Sequence, residues 1–172
     1  MKRLIPLLII SILLASCSIF INENKIVNIE GKRQKLDYSK HRIYVLFSTL
    51  GCHDCHKKLN EYFESNNFYN NDTIEIVGYI GVQNGDINNL LSRKSSLIYF
   101  NKYYPKIKKV YFSEESKNKE ILLLDYKIQN YEVPSLLLVK NNTVNFIEIK
   151  DIFKFVDKRV FQVNEDLLIL LK

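Results

Sequence analysis

The chain has no tryptophan, one methionine, three prolines, five glycines and three cysteines in 172 residues. So little proline and glycine excludes a collagen-like or linker-type repeat. Three cysteines are too few to build a disulfide scaffold. The fold must therefore rest on an apolar core, and 172 residues with 47% apolar content suffice for one domain. Aromatic residues make up 12% of the chain, which separates it from disordered compositions. The formal charge is +6, and the lysines are scattered among acidic residues without forming a basic block. A solvated surface accounts for that pattern, and no nucleic-acid partner is expected.

Residues 1–16 have the layout of a targeting segment, with Lys2 and Arg3, an apolar run from Leu4 to Leu14, and small residues at Ala15 and Ser16. The run is too short for a permanent membrane span, and removing the two basic residues lowers the net charge to +4. Leu14-Ala15-Ser16-Cys17 resembles the lipobox of bacterial prolipoproteins. The resemblance implies cleavage before Cys17 and a lipid on that cysteine, with 17–24 as a tether and 25–172 as the folded domain. An ordinary cleaved signal peptide is the alternative. Lipid on Cys17 would anchor the protein in the cell envelope, facing the periplasm or the exterior, and would leave one cysteine pair.

That pair, Cys52 and Cys55, lies within Arg42–Phe63. An apolar run over Ile43–Phe47 predicts a buried strand covered by helices on both sides. It stops at Ser48-Thr49-Leu50-Gly51, and a polar-faced helix follows. Cys52 thus falls at a helix start, where unpaired backbone N–H groups and the macrodipole favour a thiolate. A thiolate attacks disulfides, and a second thiol three residues on resolves the product. His53, when protonated, would stabilise the Cys52 thiolate, and Asp54 would oppose it. The helix should turn Cys55, Leu59, Tyr62 and Phe63 inward and His56, Lys57, Asn60, Glu61 and Glu64 outward.

Further along, Ile26–Ile29 reads as a strand, Glu30-Gly31-Lys32 as a turn and Thr73–Ile80 as a second buried strand. Asp86 is a candidate cap for a helix carrying Ile87, Leu90, Leu91 and Ile98. Lys109–Phe112 reads as a strand and Lys119–Lys127 as a helix. Ser135–Val139 and Thr143–Ile149 form a hairpin about Asn141-Asn142. A closing helix is expected among Phe153, Val156, Val160, Phe161 and Leu167–Leu171. Alternation of strands and helices, ending in a hairpin, predicts an α/β sandwich.

Three segments together resemble the thioredoxin superfamily, in its membrane-tethered TlpA/ResA-type branch. They are Ile29–Lys32 with Leu36–Tyr38, Tyr44–Thr49 followed by Cys52-His53-Asp54-Cys55, and Val133-Pro134-Ser135 with the strand after it. The resemblance implies a mixed sheet flanked by helices, an N-terminal β-hairpin and an insertion between Cys55 and Pro134. It further implies a cis-proline at Pro134, with Val133 presenting backbone to a substrate beside the dithiol. The expected activity is thiol–disulfide exchange with protein substrates, in the reducing direction. A membrane electron donor would recycle the pair, and no cofactor beyond the dithiol is needed. The chain departs from the pattern at Gly51, Asp54 and Leu46, where tryptophan, proline and a buried acid are usual.

Other readings use the same residues. Cys52-His53-Asp54-Cys55-His56 also fits the attachment motif of c-type haem, with His56 as proximal ligand, although the only methionine is Met1. Zinc or copper would need Cys52, Cys55 and one of His41, His53 or His56. A structural disulfide is the plainest alternative, but so short a loop adds little stability. A tethered binding protein with an idle fold is the last.

Overall fold

The protein is described here by a computed structural model that covers residues 26–34, 40–49, 51–83, 87–115, 121–123, 126–128, 132–141, 143–157 and 160–171. The leader, Cys17, the tether, Leu36–Tyr38, Asp86 and Asn142 lie outside the described residues.

A five-stranded mixed sheet organises the chain, in the order Val110–Glu115, Glu75–Gln83, Arg42–Phe47, Ser135–Lys140 and Thr143–Ile147. β1 (Arg42–Phe47) is central and pairs in parallel with β2 (Glu75–Gln83), which pairs in parallel with β3 (Val110–Glu115). On its other side β1 pairs antiparallel with β6 (Ser135–Lys140), which forms a hairpin with β7 (Thr143–Ile147). All six residues of β1 are buried; the apolar run accounts for Ile43–Phe47, and Arg42 is paired with Glu75.

The strand's alternation divides two cores. Ile43, Val45 and Phe47 pack with buried residues of α1 (His53–Ser65), α2 (Leu90–Asn101), α3 (Ile149–Ile152) and α4 (Leu167–Leu171). Tyr44 and Leu46 pack instead with Val77, Tyr79, Tyr111, Leu137, Val139 and Ile26. Both faces are covered, but among the described residues the helices supply only the first core. Two right-handed crossovers that step the same way along a sheet place their helices on one face. Gly78, in the middle of β2, makes room for one of those helices. A Cβ there would lie 2.6 Å from the Phe100 ring of α2.

The N-terminal hairpin is short. Val27 bridges Arg33 across a turn in which Gly31 takes φ +82°, and Val27 also bridges Phe112, fastening the turn to the β3 edge. Arg93 of α2 is buried beneath this turn, with Nε donating to the Ile29 carbonyl at 2.9 Å and a second nitrogen donating to the Ile87 carbonyl.

Three expectations are corrected. α2 begins at Leu90 with Asn89 as its cap, accepting the Leu91 N–H at 2.9 Å, and its inward stripe is Arg93, Leu97 and Phe100. Leu90, Leu91 and Ile98 face out. Ile121–Leu123 (β4) and Tyr126–Ile128 (β5) are paired strands that overlap Lys119–Lys127, the span expected to be helical. Phe153–Asp157 (β8) and Val160–Val163 (β9) pair antiparallel, leaving only Leu167–Leu171 as the closing helix. Among the described residues no helix is long and apolar enough to cross a membrane.

Candidate dithiol site

The strand directions assemble this site. β1 ends at Phe47, and its antiparallel partner β6 begins beside it, with Leu46 opposite Ser135. The loop after β1 and the loop before β6 therefore meet at one end of the sheet. The first carries Gly51 and Cys52, and the second carries Val133 and Pro134.

Cys52 is the N-cap of α1, and its sulfur accepts the Cys55 N–H at 3.3 Å. The two cysteines are joined, with S–S 2.02 Å and Cα–Cα 5.2 Å. Cys55 is buried, whereas Cys52 is partly open. This asymmetry suits an attacking sulfur that meets a partner and a resolving sulfur that does not. When the bond opens, the start of α1 supplies positive potential to the Cys52 sulfur.

The Val133–Pro134 peptide is cis, as the resemblance implied. Its connection to the dithiol is direct, because the Cys52 N–H donates to the Val133 carbonyl at 3.3 Å. Gly51 allows this closeness. A Cβ at Gly51 would stand 2.4 Å from Val133 Cγ2 and 3.2 Å from His56 Nε2. Glycine at this position follows from the packing of two neighbours against it.

His53 and Asp54 are exposed on the first turn of α1. His53 Nε2 shares a 2.8 Å hydrogen bond with the Tyr99 hydroxyl, and the Tyr103 ring lies 5.6 Å from the imidazole.

His56 corrects the sequence expectation most sharply. It is fully buried, not on the outer face of its helix. Phe47 and Tyr103 pack on its ring with centroids at 4.7 and 5.8 Å, and Nδ1 lies 2.8 Å from the Tyr104 hydroxyl. Among the described residues Nε2 has no hydrogen-bond partner. Burial, together with the neighbouring His53, lowers the imidazole pKa to about 3, so it is neutral at ordinary pH. Tyr104 is itself wholly buried, and this pushes its phenol well above the usual range. Tyr99, Tyr103 and Tyr104 come from the segment at the end of α2. Their spacing of four and one was visible in the sequence, but their approach to α1 is a tertiary event.

The arrangement also bears on the rival readings. Covalent haem would need both sulfurs for thioethers and an open His56 face toward the iron, whereas this histidine is enclosed by three aromatic residues. His41 precedes β1, at the opposite end of that strand from Cys52. Among the described residues no group of three or more His, Cys, Asp or Glu side chains is placed to hold a metal ion.

Neither a protein-family model nor a curated protein matches the chain. Among solved structures, it is similar to an uncharacterized thioredoxin-like protein from Porphyromonas gingivalis, with 18% identity and a TM-score of 0.45 over 74% of this chain and 78% of that one. It is also similar to StoA from Bacillus subtilis, with 18% identity and a TM-score of 0.41 over 73% of this chain and 87% of that one. The chain's own strand order, helix-start dithiol and adjoining cis-proline make its α/β fold thioredoxin-like.

Proposed function

We propose that this protein is an extracytoplasmic thiol–disulfide oxidoreductase that reduces disulfides in other proteins through Cys52 and Cys55. The observation that carries the reading is the Cys52–Cys55 bond at a helix start, hydrogen-bonded to the carbonyl beside a cis-proline. A structural staple needs neither the helix start nor the second loop.

In the reduced protein the Cys52 thiolate attacks one sulfur of a substrate disulfide, forming a mixed disulfide and releasing the other substrate sulfur as a thiolate. Cys55 loses its proton and attacks Cys52. The Cys52–Cys55 bond forms, the mixed disulfide breaks, and the substrate leaves with both sulfurs reduced. The enzyme is oxidised by two electrons and must be recharged by a dithiol donor. In this proposal that donor sits in the membrane, and lipid on Cys17 keeps the domain near it. The backbone at Val133 and Pro134 would line the substrate segment beside Cys52.

The test is trapping. Cys55→Ser should accumulate mixed disulfides with envelope proteins, visible on a non-reducing gel and lost on reduction, while Cys52→Ser should trap none. Should neither variant trap a partner, and the wild type fail to reduce insulin, an idle fold is the better account.

A further inference from the structure

Beneath the dithiol lies a polar atom that the exchange chemistry above leaves unused. His56 Nε2 is buried and, among the described residues, has no hydrogen-bond partner, although buried ring nitrogens are ordinarily paired. The ring's other nitrogen fixes its tautomer. Tyr104 is fully buried, and its hydroxyl lies 2.8 Å from Nδ1. If Nδ1 held the proton and donated to that oxygen, the phenol proton and the Nε2 lone pair would both go unmatched. If the phenol donates to Nδ1, only the Nε2–H is left over, and the smaller deficit wins. His56 therefore presents an N–H donor with no acceptor.

Its position indicates the acceptor. His56 lies one helical turn after Cys52, with its backbone N–H on the Cys52 carbonyl at 3.1 Å. Residues four apart share a helix face, and side chains lean toward the helix start, so the imidazole reaches back toward Cys52. Nε2 arrives against Gly51, where a Cβ would be only 3.2 Å away. Around it are the Phe47 ring, Tyr103 and Tyr104, His53 on its own helix, and the Ser48 carbonyl, which accepts the Gly51 N–H at 3.1 Å. Among the described residues none of these groups is hydrogen-bonded to Nε2.

We propose that His56 is a positioning residue for the redox pair, its Nε2–H donating to the Cys52 sulfur once the disulfide opens. The inference rests on the redox reading above and adds what tunes that site. On reduction by a dithiol, two electrons enter the S–S bond and the reductant's two sulfurs join. Cys55 keeps one proton, the second passes to solvent, and Cys52 remains a thiolate held by Nε2–H and the start of α1. The donor is idle in the oxidised protein and paired in the reduced one, so it favours the reduced form. A neutral donor does this without placing a charge in the core.

The experiment measures the glutathione redox equilibrium and the ultraviolet thiolate titration of the full chain and of two variants. His56→Phe fills the space without a donor. It should shift the equilibrium about tenfold toward the disulfide, about 30 mV lower in potential, and raise the Cys52 thiol pKa by about one unit. His56→Gln keeps an N–H at similar reach and should return most of both effects. Equal potentials for wild type and His56→Phe, or a His56→Gln shift as large as that of His56→Phe, would overturn the proposal. If His56→Phe does not fold, nitrogen-15 NMR of the wild type decides. The Nε2–H proton should move downfield on reduction, and an unchanged resonance rejects the role. Insulin reduction by the wild type is scored separately. Failure there with the expected potentials sinks the enzyme reading alone, whereas activity with unmoved potentials sinks only the part given to His56.

Discussion

The amide of Cys52 donates to the carbonyl of Val133 at 3.3 Å, joining the loop that starts the first helix to the loop that precedes the fourth strand of the sheet. One backbone hydrogen bond thus sets the distance between the reactive sulfur and the cis-proline. It survives only because Gly51 has no side chain where Val133 Cγ2 would collide with one.

Gly51→Ala should therefore act at two levels. Overpacking of this kind costs about 1–3 kcal/mol, which denaturant unfolding would measure. Displacement of Val133 should also lower disulfide reductase activity by more than the lost folded fraction explains. Wild-type stability together with wild-type activity would show that Val133 yields without cost.

Glycine has a second packing role at Gly78. With the Phe100 ring 2.6 Å from the would-be Cβ, Gly78→Ala should destabilise by about 1–3 kcal/mol. The double variant Gly78→Ala/Phe100→Leu should recover part of that loss. Additive losses on thermal or denaturant unfolding would argue against the contact as the cause.

Acid should weaken the protein in two windows. Burial, with His53, lowers His56 from 6.5 to about 3, so the unfolded chain binds a proton that the native one refuses. Stability should fall as pH drops below 6.5, by about 1.4 kcal/mol per pH unit, until the native imidazole itself titrates. His41, lowered by burial and by Lys140, shares the upper part of that window. The difference in slope between wild type and His56→Phe isolates the buried imidazole, and identical slopes would contradict it.

Glu75 belongs to the lower window. Burial acts to raise its pKa, but hydrogen bonds and charge from Arg42 and Lys109 outweigh burial and hold it below 4.5. A lowered acid stabilises above its unfolded value and loses that contribution as pH falls through the folded one. Glu75→Gln should flatten the stability profile below pH 4.5 and leave the histidine window intact.

Arg93 should behave as a buried clamp. Its guanidinium donates to the carbonyls of Ile29 and Ile87, so Arg93→Leu leaves both without that donor. A loss of about 1–3 kcal/mol is expected, with faster amide exchange concentrated at residues 27–33. Uniform exchange across the domain would instead point to a general packing role.

Much of the fold and the dithiol was legible because the signals were local. Ile43–Phe47 is apolar at every position, Cys52 directly precedes a patterned helix, and Val133-Pro134-Ser135 introduces another apolar strand. What could not be read depended on distant partners. His56 lies beside the inward stripe of its helix, and Phe47 from β1 with Tyr103 and Tyr104, brought over by α2, turn a polar residue into a buried one. Arg93 carries no sequence signal of its burial either, since the carbonyls of Ile29 and Ile87 that accept its N–H groups are brought to it by the fold. The tail misled because hairpin pairing between Phe153 and Val163 outweighed a helical spacing.

The sheet's central strand comes early in the chain and one of its two neighbours comes late, with Ile43 opposite Leu138. During synthesis, β1 keeps an open edge until the ribosome has passed Lys140, and the carbonyl that meets Cys52 is equally late. Loop-closure entropy opposes joining ends so far apart until the intervening chain can reward it. A growing chain of this protein thus holds its two thiols before it holds the surface that would aim them.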